Sequence, residues 1–280
     1  MQTLSPPPVV VGVSGSPASQ WAVEAGAREA AMHGCPVHLV HVFNWLPTFS
    51  RPGEAVPRPD REELLRRAVV VAAREAPAAT ITTHVLEGSA VTGLLRNSRT
   101  AAMIVIGDGR LCDRVCLPHD AVAAQVAARA LCTVMVTRAA PPSGGPILAG
   151  VTASASGERT LDFAFDAAAR HQTSVLVVHA WDGESRDRDQ CVSALTDLVA
   201  ARENKYGVEA HLRVLTGDPI PVLRRASEEA ALVVVGARGD RAYRGLLGSA
   251  SQTLLHHSPA PVVIVRGLMP AVVHAASTPG

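Results

Sequence analysis

Residues 232–251 read LVVVGARGDRAYRGLLGSAS and join a strand, a glycine-marked turn and the start of a helix. The apolar, β-branched run at 231–235 predicts a strand that is buried on both faces of a parallel sheet. Gly236 and Gly239 follow it, where the chain must turn sharply or let a ligand approach the backbone. This stretch therefore predicts the carboxyl end of a buried parallel strand.

The second part of the stretch predicts a helix N-terminus. Gly248 and Ser249 precede a helical pattern at 250–255, and the hydroxyl of Ser249 is expected to cap that helix. A glycine turn that ends at a helix N-terminus offers free N–H groups and the positive end of a dipole to a phosphate. The same spacing also fits a tight strand-to-helix connection that binds nothing, so both interpretations stay open at this point.

The chain carries the same strand–helix pattern twice. First strands at 9–13 and 147–151 lie 138 residues apart, and His41 and His179 keep this offset, which becomes 129 further along the chain. The predicted strands are 9–13, 37–43, 81–86, 103–106 and 134–136, then 147–151, 174–180, 208–215, 232–235 and 262–265. The predicted helices are 18–33, 61–76 and 91–100, then 158–171, 187–206, 221–229 and 250–255. Strands and helices alternate five times per half, which predicts two doubly wound parallel sheets in tandem.

Two caps are predicted at the first helix of each half. Ser16 with Pro17 is expected to cap the helix at 18–33, and Ser156 with Gly157 is expected to cap the helix at 158–171.

Ligands of doubly wound sheets bind at the carboxyl ends of the strands, where the strand order reverses. The glycine turns lie at those ends.

The spacing Gly236-x2-Gly239-x8-Gly248-Ser249, followed by HHSPAP and a last strand, resembles the universal stress protein family. The nucleotide loop of that family is Gly-x2-Gly-x9-Gly-Ser/Thr, so this loop is one residue shorter. The resemblance extends over nearly the whole chain because the pattern occurs twice. It implies an α/β protein of two tandem universal-stress domains, each doubly wound and Rossmann-like around a five-stranded parallel sheet.

The expected organisation has four parts. A first domain with a degenerate nucleotide loop spans 1–138, a linker 139–146, a second domain with the glycine loop 147–267, and a tail 268–280.

The resemblance implies that the second domain binds an adenine nucleotide, with ATP as the expected ligand and Mg²⁺ accompanying it. The residues expected to form this site follow the first, second and fourth strands of that domain: Val151, Thr152, Ala153, Ser154, Ala180, Gly236, Arg238, Gly239, Gly248, Ser249, Ala250 and Ser251. Thr152, Ala153 and Ser154 are expected along one side, Ala180 against the adenine, and 236–251 around the phosphates. Gly248 is expected to need space and a positive φ.

One departure from the family weakens this interpretation. The family usually has an aspartate that contacts the nucleotide just after the first strand, and here Ser14 and Thr152 stand in its place. A lost charge-assisted hydrogen bond is worth roughly 1.5–3 kcal/mol. The alternative is therefore a regulatory interaction module that has kept the universal stress fold without binding a nucleotide.

The two halves are expected to differ in their phosphate loops. The repeat places Arg110 opposite Gly239, His119 opposite Gly248 and Asp120 opposite Ser249. Asp120 is expected to cap the helix from within the chain and to repel a phosphate, so the first half should not bind a triphosphate. In the opposing interpretation, Arg110 and His119 form a replacement phosphate clamp.

Composition argues against several other functions. Charged residues (18%) nearly cancel to +1 and aromatic residues make up 3%, so nucleic acid is not expected as a partner. No apolar run approaches the roughly 20 residues of a membrane helix, and no signal peptide is apparent, so we expect a cytoplasmic protein. No phosphate-binding lysine loop, dinucleotide fingerprint or nucleophile elbow occurs, so no catalysis is expected.

The remaining predictions concern thiols and assembly. Cys112 and Cys116 are interpreted as isolated thiols, and Cys132 as a small hydrophobic residue. The last strands of the two halves, near 134–136 and 262–265, are expected to pair within the chain and form a pseudo-dimer. A homodimer is a weaker expectation, and the sequence does not specify a regulatory protein partner.

Overall fold

The computed structural model describes residues 6–43, 60–109, 121–138, 144–152, 154–181, 183, 188–237 and 246–266. The described residues form ten strands: β1 (Val9–Gly12), β2 (Val37–Phe43), β3 (Ile81–Glu87), β4 (Met103–Gly107), β5 (Thr133–Thr137), β6 (Ile147–Gly150), β7 (Val175–Trp181), β8 (Ala210–Thr216), β9 (Leu232–Gly236) and β10 (Val262–Val265). The same ranges hold eight helices: α1 (Pro17–His33), α2 (Arg61–Glu75), α3 (Ala90–Asn97), α4 (Val122–Arg129), α5 (Ala155–His171), α6 (Arg188–Tyr206), α7 (Pro219–Ala226) and α8 (Ser249–His257).

The ten strands form one sheet in the order β3-β2-β1-β4-β5-β10-β9-β6-β7-β8. Within each half all five strands are parallel, which confirms the predicted doubly wound fold. The central strands are almost wholly apolar because both faces are covered by helices.

The two halves join at β5 and β10, the pair of final strands predicted to meet. These strands run antiparallel, with Val136 opposite Val262, Met135 opposite Val263 and Val134 opposite Ile264. Each would otherwise be an exposed sheet edge, so their pairing completes the backbone hydrogen bonds of both halves.

Each face of the sheet carries one hydrophobic core that extends across both halves. The helices α1, α2, α5 and α6 cover one face, and α3, α4, α7 and α8 cover the other. Met135 of β5 and Val263 of β10 belong to the first core, and Val134 and Ile264 to the second. The junction is therefore as apolar as the interior of either half.

Two arginines tie the helices of one half to the final strand of the other. Arg138, after β5, donates to the carbonyl oxygens of Ser258 (2.8 Å) and Leu255 (2.6 Å) at the end of α8. Arg266, after β10, donates to Ala127 (2.8 Å) and Ala128 (2.6 Å) near the end of α4. Guanidinium groups here supply partners for the last carbonyls of a helix, which have none within it.

The predicted element boundaries agree with the structure to within two residues except at α3, α5 and α7. Helix α3 ends at Asn97, not at 100. Helix α7 spans Pro219–Ala226 instead of 221–229, because Asp218 Oδ1 accepts from the Ile220 N–H (2.8 Å) and caps the helix. An aspartate cap followed by proline is a strong start signal, which explains the earlier start.

The cap predicted for α5 was wrong. The helix begins at Ala155, and Ser154 rather than Ser156 is its N-cap, since Ser154 Oγ accepts from the Gly157 N–H at 3.4 Å. In the first half the prediction is confirmed, because Ser16 caps α1 and Pro17 is its first residue. No helix in the described ranges is long and apolar enough to cross a bilayer.

Candidate functional site

The predicted site lies where the strand order of the second half reverses. The chain passes from β6 to β7 on one side and returns to β9 on the other. Gly150, at the end of β6, is level with Val178 of β7 and Val235 of β9. Val151, Ala180 and Gly236 therefore lie together at the carboxyl edge of the sheet, the position at which doubly wound sheets bind ligands.

A histidine of β7 fixes the loop after β6. Nδ1 of His179 is 2.9 Å from the carbonyl oxygen of Val151, and since a carbonyl only accepts, this nitrogen carries the hydrogen. The hydroxyls of Thr152 and Ser154 are 2.9 Å apart, and the Ser154 N–H donates to the Thr152 carbonyl (2.8 Å). Thr152, the residue that stands in place of the family's aspartate in the sequence comparison above, is exposed.

Gly157 makes room for this loop. A Cβ atom at Gly157 would overlap the carbonyl oxygen of Thr152, so the first turn of α5 must have a glycine there. The equivalent residue of the first half, 138 positions earlier, is Ser19, whose Oγ accepts from the Ser14 N–H at 2.9 Å. The two halves therefore hold the loop after their first strand in different ways.

The N-terminus of α8 is attached directly to the end of β9. The Gly248 N–H donates to the carbonyl oxygen of Ala237 (3.0 Å), and Ser251 Oγ donates to that of Gly236 (2.8 Å). Gly248 is the N-cap, and no side chain of the described residues caps the helix. The N–H groups at the start of α8 therefore stay available to an anion beside the end of β9.

Two predictions about this turn were wrong. Ser249 is the first helical residue, and Gly248 takes the cap position because its N–H is held by Ala237. Gly248 has φ −64° and ψ 153°, an extended backbone open to any residue, so only space can require a glycine here. Ala250 lies in the first turn of α8, while Ala153, Arg238 and Gly239 lie outside the described residues.

The first half has the same framework with a small cavity. Nδ1 of His41 donates to the Val13 carbonyl (2.8 Å), and the hydroxyls of Ser14 and Ser16 are 3.0 Å apart. The cavity beside them has about 190 Å³ and is bounded by α1, β1, β2, β4, α3 and α4. Pockets that bind small molecules usually have roughly 300–1,000 Å³.

Helix α4, the counterpart of α8 in the first half, starts later than the internal repeat predicts. By the 129-residue offset the first residue of α8 corresponds to position 120, yet α4 begins at Val122 with Ala121 as its N-cap. The predicted contributions of Arg110, His119 and Asp120 lie outside the described residues.

The cysteines within the described ranges are buried free thiols. Burial raises the pKa of the Cys132 thiol to about 12, in agreement with its predicted role as a small hydrophobic residue. Cys112 and Cys116 lie outside these ranges, so their predicted role stays a prediction. Among the described residues, no group of three or more His, Cys, Asp or Glu side chains could hold a metal ion.

Sequence reasoning missed the roles of His41, His179 and Gly157. The common offset of the two histidines marked them as repeated, but repetition alone does not say that each ring fixes a loop. Gly157 was interpreted as part of a cap because it follows Ser156, and its close contact with Thr152 depends on the folded loop.

The fold is that of a tandem α/β protein, and in its second half the N-terminus of α8 lies beside the carboxyl end of β9. The model of the universal stress protein family matches residues 7–138 and 145–266, and the chain belongs to that family. Universal stress protein Rv2623 of Mycobacterium tuberculosis is 29% identical over 287 residues, which cover 92% of this chain and 96% of that protein.

The chain is also similar to solved structures. A crystal structure of a universal stress protein from Archaeoglobus fulgidus has a TM-score of 0.67 and 18% identity, covering 94% of this chain and 97% of that one, and shares the fold. A universal stress protein in complex with cAMP is 22% identical, with a TM-score of 0.40, and covers 49% of this chain and all (100%) of its own.

Proposed function

We propose that the second half binds an adenine nucleotide, ATP by preference, at the carboxyl ends of β6, β7 and β9 as part of a stress response. The observation that carries the proposal is the N-terminus of α8, which lacks a side-chain cap and is attached to the end of β9. A capping side chain would occupy the N–H groups that a phosphate needs, and here none of the described residues does so.

The other predicted residues take roles set by their positions. Thr152 and Ser154 offer hydroxyls to the ribose in place of the aspartate usual in the family, and Ala180 leaves room for the adenine. Ser249, Ala250 and Ser251 present the first turn of α8 to the phosphates. Ala153, Arg238 and Gly239 complete the proposed site.

A Mg²⁺ ion that accompanies ATP would be held mainly by phosphate oxygens and water. Magnesium commonly keeps several waters and binds through substrate phosphates. The hydroxyl of Ser249, the first residue of α8, is the side chain that could add a ligand. This part of the proposal needs no dedicated protein cage.

We assign no catalytic step to the site and place the protein in the cytoplasm. The chain lacks the motifs that position a nucleophile or a phosphate-binding lysine. Binding without hydrolysis makes the nucleotide a signal that the protein senses, and a regulatory partner would read the bound state.

Mass spectrometry of the denatured, freshly purified chain tests the proposal. We expect release of an adenine nucleotide from the wild type and none from Gly248→Val, because an N-cap side chain would stand where the phosphates approach. Leu246→Ala is the matched control, since Leu246 lies two residues earlier and is exposed. Nucleotide retained by Gly248→Val would place the ligand elsewhere.

The second candidate function is a regulatory interaction module without a nucleotide. It is favoured by Thr152, whose hydroxyl pairs with Ser154 and cannot replace the charge of an aspartate. Under this alternative the purified wild type releases no nucleotide, and added ATP leaves the melting temperature unchanged.

A further inference from the structure

The C-terminal ends of α1 and α5 meet in a cluster of charged and titratable side chains, far along both helices from the candidate site. The cluster contains Glu29 and His33 of α1 and Asp166, Arg170 and His171 of α5. His33 and His171 are the last residues of their helices and lie 138 positions apart, so the internal repeat relates them. The end of a helix dipole favours a cation at both positions.

His33 contacts acceptors with both ring nitrogens. Nδ1 is 2.9 Å from the backbone carbonyl oxygen of Glu29, and Nε2 is 3.1 Å from Oδ2 of Asp166 in the other half. The side-chain oxygen Oε2 of Glu29 is 3.7 Å from Nδ1. A neutral imidazole has one N–H, so it can satisfy only one of these two contacts and leaves a lone pair facing an oxygen at the other. The imidazolium satisfies both.

The surrounding charges favour the same form. Arg170 donates to both carboxylate oxygens of Asp166 (3.0 and 3.1 Å) and to the Met32 carbonyl oxygen (2.6 Å). His171 Nε2 is 3.1 Å from Oε1 of Glu29. The cluster has two carboxylates and one guanidinium, so its charge balance favours a proton on His33 or on His171, and the two contacts of the His33 ring are what single out His33. With a side chain only 2% exposed, His33 has little water to replace a missing partner.

Neighbouring groups keep their charge state while the histidine titrates. Burial acts to raise the pKa of Asp166, but hydrogen bonds from His33 and Arg170 outweigh burial and lower that pKa. The carboxylate therefore stays ionised to a lower pH than an ordinary aspartate. The Cys35 thiol, which follows α1 and donates to the His33 carbonyl oxygen (3.6 Å), has a pKa raised by burial and stays neutral.

We propose that His33 is a pH-sensitive latch between the two halves, closed when the ring is protonated. The closed latch joins the end of α1 to α5 through Asp166. When the ring loses its proton, one of its two hydrogen bonds is lost and the α1–α5 contact weakens, while the β5–β10 pairing persists. The contact is strongest while the ring is charged, and it weakens as rising pH removes that charge.

Thermal unfolding of the full chain between pH 5.5 and 8.5 tests the latch. We expect the melting temperature of the wild type to exceed that of His33→Gln at pH 5.5 and this advantage to shrink by about 3–6 °C at pH 8.5. His211→Gln is the control, because that ring is exposed and 3.7 Å from Glu209. We expect it to keep the wild-type pH profile. An advantage that stays constant across the range would overturn the proposal.

Asp166→Asn supplies a second readout that does not depend on the His33 variant folding. An amide can accept from the charged ring or donate to the neutral one, so the variant no longer needs the imidazolium. We expect its melting temperature to vary less with pH than that of the wild type. The loss of the ion pair between Asp166 and Arg170 should lower the melting temperature by the same amount at every pH. A wild-type pH dependence retained in full by Asp166→Asn would contradict the latch.

Discussion

His41 and His179 make the same contact with the loop after the first strand of each half. Each ring donates through Nδ1 to the carbonyl oxygen of a valine, Val13 in the first half and Val151 in the second. The ring of His179 lies beside the candidate site without needing to touch a ligand. In the second half this contact holds Thr152 in place beside α5.

The pair offers a matched experiment. We expect His179→Ala and His41→Ala each to lower stability by about 1 kcal/mol, the usual worth of one hydrogen bond, as measured by denaturant unfolding. We expect only His179→Ala to weaken ATP binding, by roughly tenfold if the displaced loop costs about 1.4 kcal/mol of binding. Equal losses of affinity in the two variants would contradict the assignment of the site to the second half.

The elements show how far local sequence patterns determine the structure. Strand and helix positions were predictable because apolar periodicity and turn residues act within a dozen residues. The starts of α5 and α8 were harder to predict, because each has neighbouring cap candidates and the folded form of the preceding loop decides between them. The carbonyl of Thr152 requires Gly157 inside α5, and the carbonyl of Ala237 holds Gly248 at the start of α8.

The pairing of the final strands could be predicted, but side-chain contacts between the two halves could not. Arg138 reaches Ser258 across 120 residues, and His33 reaches Asp166 across 133. Neither pair has a local sequence signal, because an arginine after a strand or a histidine at a helix end is common. For the candidate site the sequence supplied the glycines and hydroxyls, but not the histidine and glycine that position them.

Arg138 allows a test at the scale of elements. We expect Arg138→Met to lower the melting temperature by about 4–8 °C, because the last carbonyls of α8 lose their buried hydrogen bonds. Arg129→Met is the matched control, since Arg129 is exposed at the end of α4 and should shift the midpoint little. Differential scanning calorimetry measures the melting temperatures of both variants. Equal melting temperatures for Arg138→Met and Arg129→Met would mean that Arg138 does not hold α8.

The whole molecule is a pseudo-dimer whose halves differ at equivalent sites. The sheet and both cores are continuous through β5 and β10, so one half cannot be treated as an independent unit. By the 129-residue offset, α4 starts two residues later than its counterpart α8, which begins beside the end of β9. This difference supports the central claim that each chain binds one nucleotide, in its second half.

Isothermal titration calorimetry of the full chain, stripped of ligand, with Mg²⁺–ATP tests this claim most directly. We expect a stoichiometry of about one nucleotide per chain, lost in Gly248→Val and unchanged in Leu246→Ala, because the proposed phosphate site is the N-terminus of α8 beside the end of β9. A stoichiometry of about two, or heat that persists in Gly248→Val, would contradict the account.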